Sequence, residues 1–241
     1  LQDQNDPTDD NKLLNTDVLY PSLDDKNFNK KITLKKEFLD TKQDLEIKPV
    51  EEQSNILCNS EFELAPHQMF VRNFLSFQTP YNGLLLFHGL GTGKTCSAIS
   101  VCEEMRDYMK QTGITKKIII VASPNVQQNF RLQLFDERKL KQINGLWNIR
   151  ACTGNKFLKE INPMSMKGLK KENIMKQIKR LIRESYIFMG YTEFSNFIAK
   201  TVEKYNGIEN KSERKVKQNR AIKREFSNRL IVIDEVHNIR I

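Results

Sequence analysis

Gly83-Leu84-Leu85-Leu86-Phe87-His88-Gly89-Leu90-Gly91-Thr92-Gly93-Lys94-Thr95 is the stretch on which the reading of this chain turns. Leu84 to Phe87 form a short apolar run with the composition of a buried strand, and a helical pattern begins after the Gly-Lys-Thr that ends the stretch. Glycine at 89, 91 and 93 lets the backbone turn tightly and come close to an anion. Successive N–H groups and the positive end of the following helix can then surround phosphate oxygens. In such a loop Thr92 sits at the turn, Lys94 reaches the β- and γ-phosphates and the Thr95 hydroxyl ligates Mg²⁺. The order of strand, loop and helix is the one a phosphate-binding loop requires. His88 stands where the general pattern has its first glycine.

A second segment supplies the complementary chemistry. Leu230-Ile231-Val232-Ile233 is an apolar strand that delivers Asp234-Glu235-Val236-His237 at its carboxyl end, where open α/β sheets bind ligands. Asp234 is expected to hold Mg²⁺, directly or through water. Glu235 is expected to orient or deprotonate the water that attacks the γ-phosphate, and His237 to couple the nucleotide site to nucleic acid or to a partner lobe. The three histidines, 67, 88 and 237, are never four residues apart, which excludes the His-Glu-x-x-His zinc pattern.

Bulk properties bound the setting. The chain's 241 residues suffice for one α/β domain with extensions. No apolar run approaches bilayer length, no secretory pattern opens the chain, and its start, Leu-Gln-Asp-Gln-Asn, reads as that of a fragment or processed product. Cys58, Cys96, Cys102 and Cys152 are scattered without a Cys-x-x-Cys pair, so neither zinc nor a disulfide framework is expected, and a reduced, intracellular compartment fits. The net charge of +9 is uneven, because residues 1–60 hold 8 Lys/Arg against 13 Asp/Glu and the remainder is strongly basic. An acidic leader and a basic domain point to a polyanionic partner for the latter.

Along the chain, residues 1–60 read as a polar, extended arm in which Leu19-Tyr20-Pro21-Ser22-Leu23 is the run suited to docking. A helix opens at Leu64-Ala65-Pro66-His67-Gln68 and carries Phe70, Val71, Phe74 and Phe77 up to Pro80. Another runs from Thr95 to about Gln111, with Ala98, Val101, Cys102, Met105 and Met109 on one face. Lys117–Ala122 is a buried strand ending in Ser123-Pro124-Asn125, with a helix from Val126 to Phe135. Leu146–Ala151 is a short strand leading to Thr153-Gly154, and Tyr186–Tyr191 is a strand followed by a helix from about Thr192. Residues 155–229 carry 19 Lys/Arg and 8 Asp/Glu, densest from Lys211 to Arg224. That segment is either a nucleic-acid-facing surface or a solvated helical insertion.

Pro66-His67-Gln68, His-Gly-Leu-Gly-Thr-Gly-Lys-Thr, Ala-Ser-Pro-Asn and Asp-Glu-Val-His stand in the order found in the first RecA-like lobe of superfamily 2 helicases, which the chain resembles over residues 64–238. The phosphate-loop and Ile-Asp-Glu-Val-His-Asn phrases look most like the ATPases of large cytoplasmic DNA viruses, the group of the poxvirus early transcription factor small subunit and nucleoside triphosphate phosphohydrolase I. The resemblance implies a three-layer α/β lobe with a mainly parallel sheet over residues 61–241, cut before the lobe's end. It implies that Gln68 reads the adenine edge, that Ser123, Pro124 and Asn125 grip nucleic-acid phosphates, and that Thr153-Gly154 contact the sugar-phosphate backbone. It further implies ATP and Mg²⁺ as cofactors, nucleic acid (DNA ahead of RNA) and a second lobe as partners, and transcription-factor or polymerase subunits beside them in a host cytoplasm or virion. Since the second lobe of this family supplies the arginines that stabilise the transferring phosphoryl group, slow hydrolysis by residues 1–241 alone is expected. The alternatives from other classes are a non-catalytic nucleic-acid-binding scaffold and a small-molecule kinase.

Overall fold

The computed structural model describes residues 19–42, 49, 51, 64–89 and 91–239. In chain order the described elements are α1 (Phe28–Thr33), α2 (Lys36–Leu39), α3 (Pro66–Phe74), α4 (Lys94–Gln111), β1 (Ile118–Val121), α5 (Pro124–Leu134), β2 (Leu140–Ile143), β3 (Leu146–Ile149), α6 (Lys156–Ile161), α7 (Lys171–Ser185), β4 (Tyr186–Met189), α8 (Tyr191–Glu203), α9 (Lys211–Phe226) and β5 (Ile231–Ile233).

Four consecutive β-branched residues make β1 the middle of a parallel sheet of order β4-β1-β5, with Ile119 opposite both Ile187 and Ile231. Side chains alternate across a strand. Ile118 and Ile120 therefore enter a core formed with Ile99 and Cys102 of α4, Phe130 and Leu134 of α5, and Ile174 and Ile178 of α7. Ile119 and Val121 enter a second core with Met189 and Phe194, against which Phe197 and Phe226 pack. The fold is thus mixed α/β, with helices on both faces of a small parallel sheet. A continuous apolar run is what a strand covered on both faces requires.

The strand expected at Leu146–Ala151 is β3 (Leu146–Ile149), whereas its partner β2 and the helix α7 were present in the sequence pattern but not anticipated. Asn144 and Gly145 both have positive φ, 51° and 80°, and close an antiparallel hairpin of β2 and β3 that stands apart from the main sheet. Asn-Gly between apolar runs is the usual signal for such a turn. In α7, buried Ile174 and Ile178 continue into partly buried Leu181 and Ile182, the i, i+4, i+7, i+8 spacing of a helix face, while its Lys and Arg point outward.

Three expectations are corrected. Leu84–Phe87 is not a buried strand: it joins no ladder, Leu85 is 74% and Phe87 93% exposed, and β5 pairs only with β1 among the described residues. An apolar run becomes a strand only where a neighbouring backbone completes its hydrogen bonds. Leu85→Ser and Phe87→Ser are accordingly expected to shift the unfolding free energy of this chain by no more than about 0.5 kcal/mol in urea titration, since no core contact is lost.

The leader, where it is described, is not extended. Buried Ile32 and Phe38 of α1 and α2 join Phe74 of α3 and Tyr81 in a separate apolar cluster. Tyr81 donates its hydroxyl hydrogen to the Pro21 carbonyl at 2.8 Å, and Asn73 donates to the Glu37 carbonyl at 2.6 Å. Residues 1–18 and most of 43–63 lie outside the described residues. α3 also ends at Phe74, short of Pro80, and Phe77 instead stacks on Tyr108 of α4 at 4.9 Å.

Cysteine usage is the third correction. Cys96 and Cys152, 56 residues apart, form a disulfide with Cα atoms 5.3 Å apart, while Cys102 is a buried thiol. Among the described residues no helix is long and apolar enough to cross a membrane.

Candidate nucleotide site

The phosphate loop is held from behind by the first turn of α3. Ala65 enters extended, Pro66 opens the helix, and Gln68 folds back so that its Oε1 accepts the Ala65 N–H at 3.0 Å. Its Nε2 donates to the Gly93 carbonyl at 3.3 Å. His67 Nε2 lies 2.9 Å from the Thr92 carbonyl; a carbonyl can only accept, so this contact requires the proton on Nε2. Both ends of the Gln68 amide are thus engaged with backbone, which braces the loop.

That bracing explains one glycine. Gly93 has φ +77°, the left-handed conformation that favours glycine, and a Cβ there would push the Gln68 amide away from the loop. Gly91 takes the same left-handed conformation, and Thr92 donates its hydroxyl hydrogen to the Gly89 carbonyl at 3.0 Å. Gly93 stands at the N-cap of the 18-residue helix α4, with no side chain capping its first turn. The first-turn N–H groups and the positive helix end consequently face the loop. Lys94 lies at the first helical position and donates to the His88 carbonyl at 2.9 Å, and Thr95 follows, half-buried.

Asp234 extends β5, donating its backbone N–H to Val121 at 2.9 Å, and its carbonyl accepts the Tyr191 hydroxyl at 2.9 Å. Burial and the adjacent Glu235 carboxylate push the Asp234 carboxyl above the usual aspartate range, partly offset by the Lys94 ammonium. The Lys94 ammonium, 140 residues away in the chain, thus lies within electrostatic range of the Asp234 carboxyl. Glu235 takes a left-handed backbone (φ 46°), which costs about 1–3 kcal/mol in a residue with a side chain, and such strain gathers at functional sites. His237 Nδ1 lies 3.4 Å from Glu235 Oε2, and both side chains are exposed.

The remaining expected residues fall in two places. Ser123, Pro124 and Asn125 follow β1 at the same carboxyl edge as Asp234 and open α5, where Gln127 Nε2 caps the Ala122 carbonyl at 2.9 Å. Thr153 and Gly154 lie at the other end of α5, where the Thr153 hydroxyl donates to the Leu134 carbonyl at 3.0 Å. They line a cleft of about 430 Å³ with Asn148, Arg150, Lys156 and Lys159. The sequence alone did not group these cations, because they converge only when the β3 end and α6 fold together. Tyr191 was likewise missed; nothing in its surroundings in the chain marks it as a partner of Asp234.

The groups at the sheet edge suit a magnesium-bound triphosphate. Thr95 and Asp234 offer the hard oxygen ligands Mg²⁺ takes, and the Lys94 ammonium offers a cation to phosphate oxygens. Among the described residues no cluster of three or more His, Cys, Asp or Glu could hold a metal by itself, so the phosphate oxygens and water would complete the coordination.

Comparison with known proteins agrees in kind. The chain is 27% identical over 251 residues to the "Putative ATP-dependent RNA helicase L377" of Acanthamoeba polyphaga mimivirus, covering 97% of this chain and 20% of that protein. It is 28% identical over 222 residues to the "Putative ATP-dependent RNA helicase R563" of the same virus, covering 91% of this chain and 31% of the relative. A third relative, the "Putative helicase 087L" of Invertebrate iridescent virus 3, is 27% identical over 186 residues, covering 74% of this chain and 15% of its own length. The chain is therefore distantly homologous to helicase-named proteins of large DNA viruses and spans between about a seventh and a third of their length. No family model matches it. No solved structure matches it.

Proposed function

We propose that this chain is the ATP-binding, RecA-like lobe of a nucleic-acid-dependent ATPase of the helicase type. The observations that carry the proposal are the Gly-rich loop with left-handed Gly91 and Gly93 opening α4 at Lys94, and the electrostatic influence of Lys94 on Asp234 at the end of β5. Distant homology to proteins named as ATP-dependent helicases supports the same class. Those names carry no transcriptional role, so the proposal rests on helicase-type ATP use and leaves the viral transcription setting to the sequence resemblance.

The chain's own residues divide the work. Backbone N–H groups of Gly91 to Lys94 and the end of α4 hold phosphate oxygens, and Gln68 and His67 keep that backbone in place. Lys94 exchanges its His88 carbonyl for phosphate oxygens. Thr95 and Asp234 would hold Mg²⁺, which neutralises charge on the phosphates when bound. Glu235, exposed next to Asp234, is the base that orients and deprotonates water. His237, within reach of Glu235, is suited to pass the state of this site to nucleic acid or to a partner lobe.

Lys94→Ala tests this. Loss of one charge-assisted contact is worth about 1.5–3 kcal/mol, so affinity for a fluorescent ATP analogue with Mg²⁺ is expected to fall roughly 10- to 150-fold at unchanged thermal stability. Equal affinity in the two proteins would remove the phosphate loop from the nucleotide site.

A further inference from the structure

The most basic element of the molecule has no place in the nucleotide site. α9 carries seven Lys/Arg and two Glu over sixteen residues, and Ala221 is its one buried residue. Both acids are neutralised locally, Glu213 by Lys217 at 2.7 Å and Glu225 by Arg229 at 2.8 Å. With 3.6 residues per turn, Arg214, Gln218, Ala221, Ile222 and Glu225 fall on one side, the side that is wholly or partly buried. Lys217, Arg224, Arg220 and Lys223 run in that order round the helix from the flank of the buried side, and all four are exposed. Arg220, Lys223 and Arg224 have no carboxylate within ion-pair distance among the described residues.

The helix is also fixed firmly for one that buries so little. Isolated helices of this length are marginal, so tertiary ties must hold it. Asn210 caps its start, accepting from the Ser212 and Glu213 N–H groups at 3.0 and 3.3 Å. Lys116 caps its end, donating to the Arg224, Glu225 and Ser227 carbonyls at 2.5, 3.0 and 2.8 Å. Asn206 ties it to the end of α8 through Arg214 and Gln218 at 3.3 and 3.0 Å, and Phe226 packs on Phe194 and Phe197 at its base. These ties hold the exposed cations in fixed relative positions, three of them unpaired among the described residues and Lys217 sharing its charge with Glu213 across one exposed turn.

We infer that the outward face of α9 binds a nucleic-acid phosphate backbone independently of base sequence, as an auxiliary site separate from the nucleotide site. Positions i, i+3, i+6 and i+7 extend over about 10 Å of helix axis, a length that meets about three successive phosphates of one strand of a duplex at 3.4 Å each. The choice of nucleic acid over an acidic protein rests on the helicase-type reading above; the cationic face itself does not.

The test uses the full chain with a labelled oligonucleotide, single-stranded and duplex in separate arms, across about 50–200 mM salt. Counterion release gives a slope of about −0.9 per neutralised phosphate on duplex and about −0.7 on single strands, so replacing Lys217, Arg220, Lys223 and Arg224 together by Gln is expected to reduce the slope by about 3 on duplex and about 2 on single strands. The charge-preserving pair Lys217→Arg and Lys223→Arg should keep the wild-type slope, and circular dichroism should show unchanged helix content in both variants. An unchanged slope in the Gln variant overturns the inference, as does loss of slope in the Arg variant. So does tighter binding of a polyglutamate probe than of oligonucleotide, which would assign the face to an acidic protein. Lys94→Ala leaves this slope unaltered, so failure of the nucleotide site and failure of the α9 surface appear in different readouts.

Discussion

Replacing Arg106 by Met will destabilise the fold by about 3 kcal/mol, measured by urea unfolding, because the buried Glu103 carboxylate loses its bidentate partner and keeps only the Tyr186 hydroxyl and the Lys156 ammonium at 3.4 Å. Glu103 and Arg106, one turn apart on α4, are 4% and 6% exposed. The guanidinium reaches both Glu103 oxygens, with Nη2 to Oε2 at 2.8 Å, and holds Glu160 of α6 at 2.8 Å. Tyr186 of β4 donates its hydroxyl hydrogen to Glu103, and Lys156 donates to the Glu103 carbonyl at 2.6 Å. The network therefore ties the phosphate-loop helix to the sheet and to α6. Burial alone would lower the Arg106 pKa, but the Glu103 and Glu160 carboxylates raise it, so it stays charged throughout the accessible pH range. The double variant Glu103→Leu/Arg106→Met should recover part of the loss, since removing both charges leaves no isolated one.

Acid provides a second reading of the same network. Burial would raise the Glu160 pKa, yet its hydrogen bonds from Arg106 and Lys110 hold it below the ordinary glutamate value of 4.5. A folded value below the unfolded one contributes stability that is fully present above pH 4.5 and is lost as pH falls through the folded pKa. That acid-side loss should be absent in Arg106→Met/Lys110→Met.

Reducing the Cys96–Cys152 disulfide, or removing it with Cys152→Ser, will lower the unfolding free energy by about 2–4 kcal/mol. Loop-closure entropy sets the scale: a bridge across 56 residues restrains the unfolded chain by about 4 kcal/mol, of which native-state relaxation returns a part. The bridge joins the first turn of α4, two residues after Lys94, to the turn that precedes Thr153. Urea titrations with and without a reductant measure it, and the Cys152→Ser protein should be insensitive to the reductant. Cys102 does not replace either partner, since burial and then the nearby Glu103 hold its thiol protonated.

Much of the site was legible in advance because it is encoded locally. Gly-Lys-Thr before a helix, the apolar run into Asp234-Glu235, and the strand into Ser123-Pro124-Asn125 each combine a residue type with a backbone conformation set by its nearest neighbours. The hairpin at Asn144-Gly145 and the face of α7 belong to the same class; their patterns were there to be read. The docked helices at Phe28–Leu39 are harder, because their apolar residues have no sustained period and become a cluster only against Phe74 and Tyr81.

By itself the sequence determined the central helices and strands and the glycine-rich turn between them, since helix and strand periods and glycine's conformational freedom are properties of short segments. Only the tertiary structure decided which segments become neighbours. It left Leu84–Phe87 exposed because no adjacent strand completes its ladder, brought Cys96 to Cys152 across 56 residues, buried Glu103 with Arg106, and turned Gln68 toward Gly93. Ladder partners, cross-links and buried ion pairs depend on distances through space, and residue spacing along the chain carries no record of them.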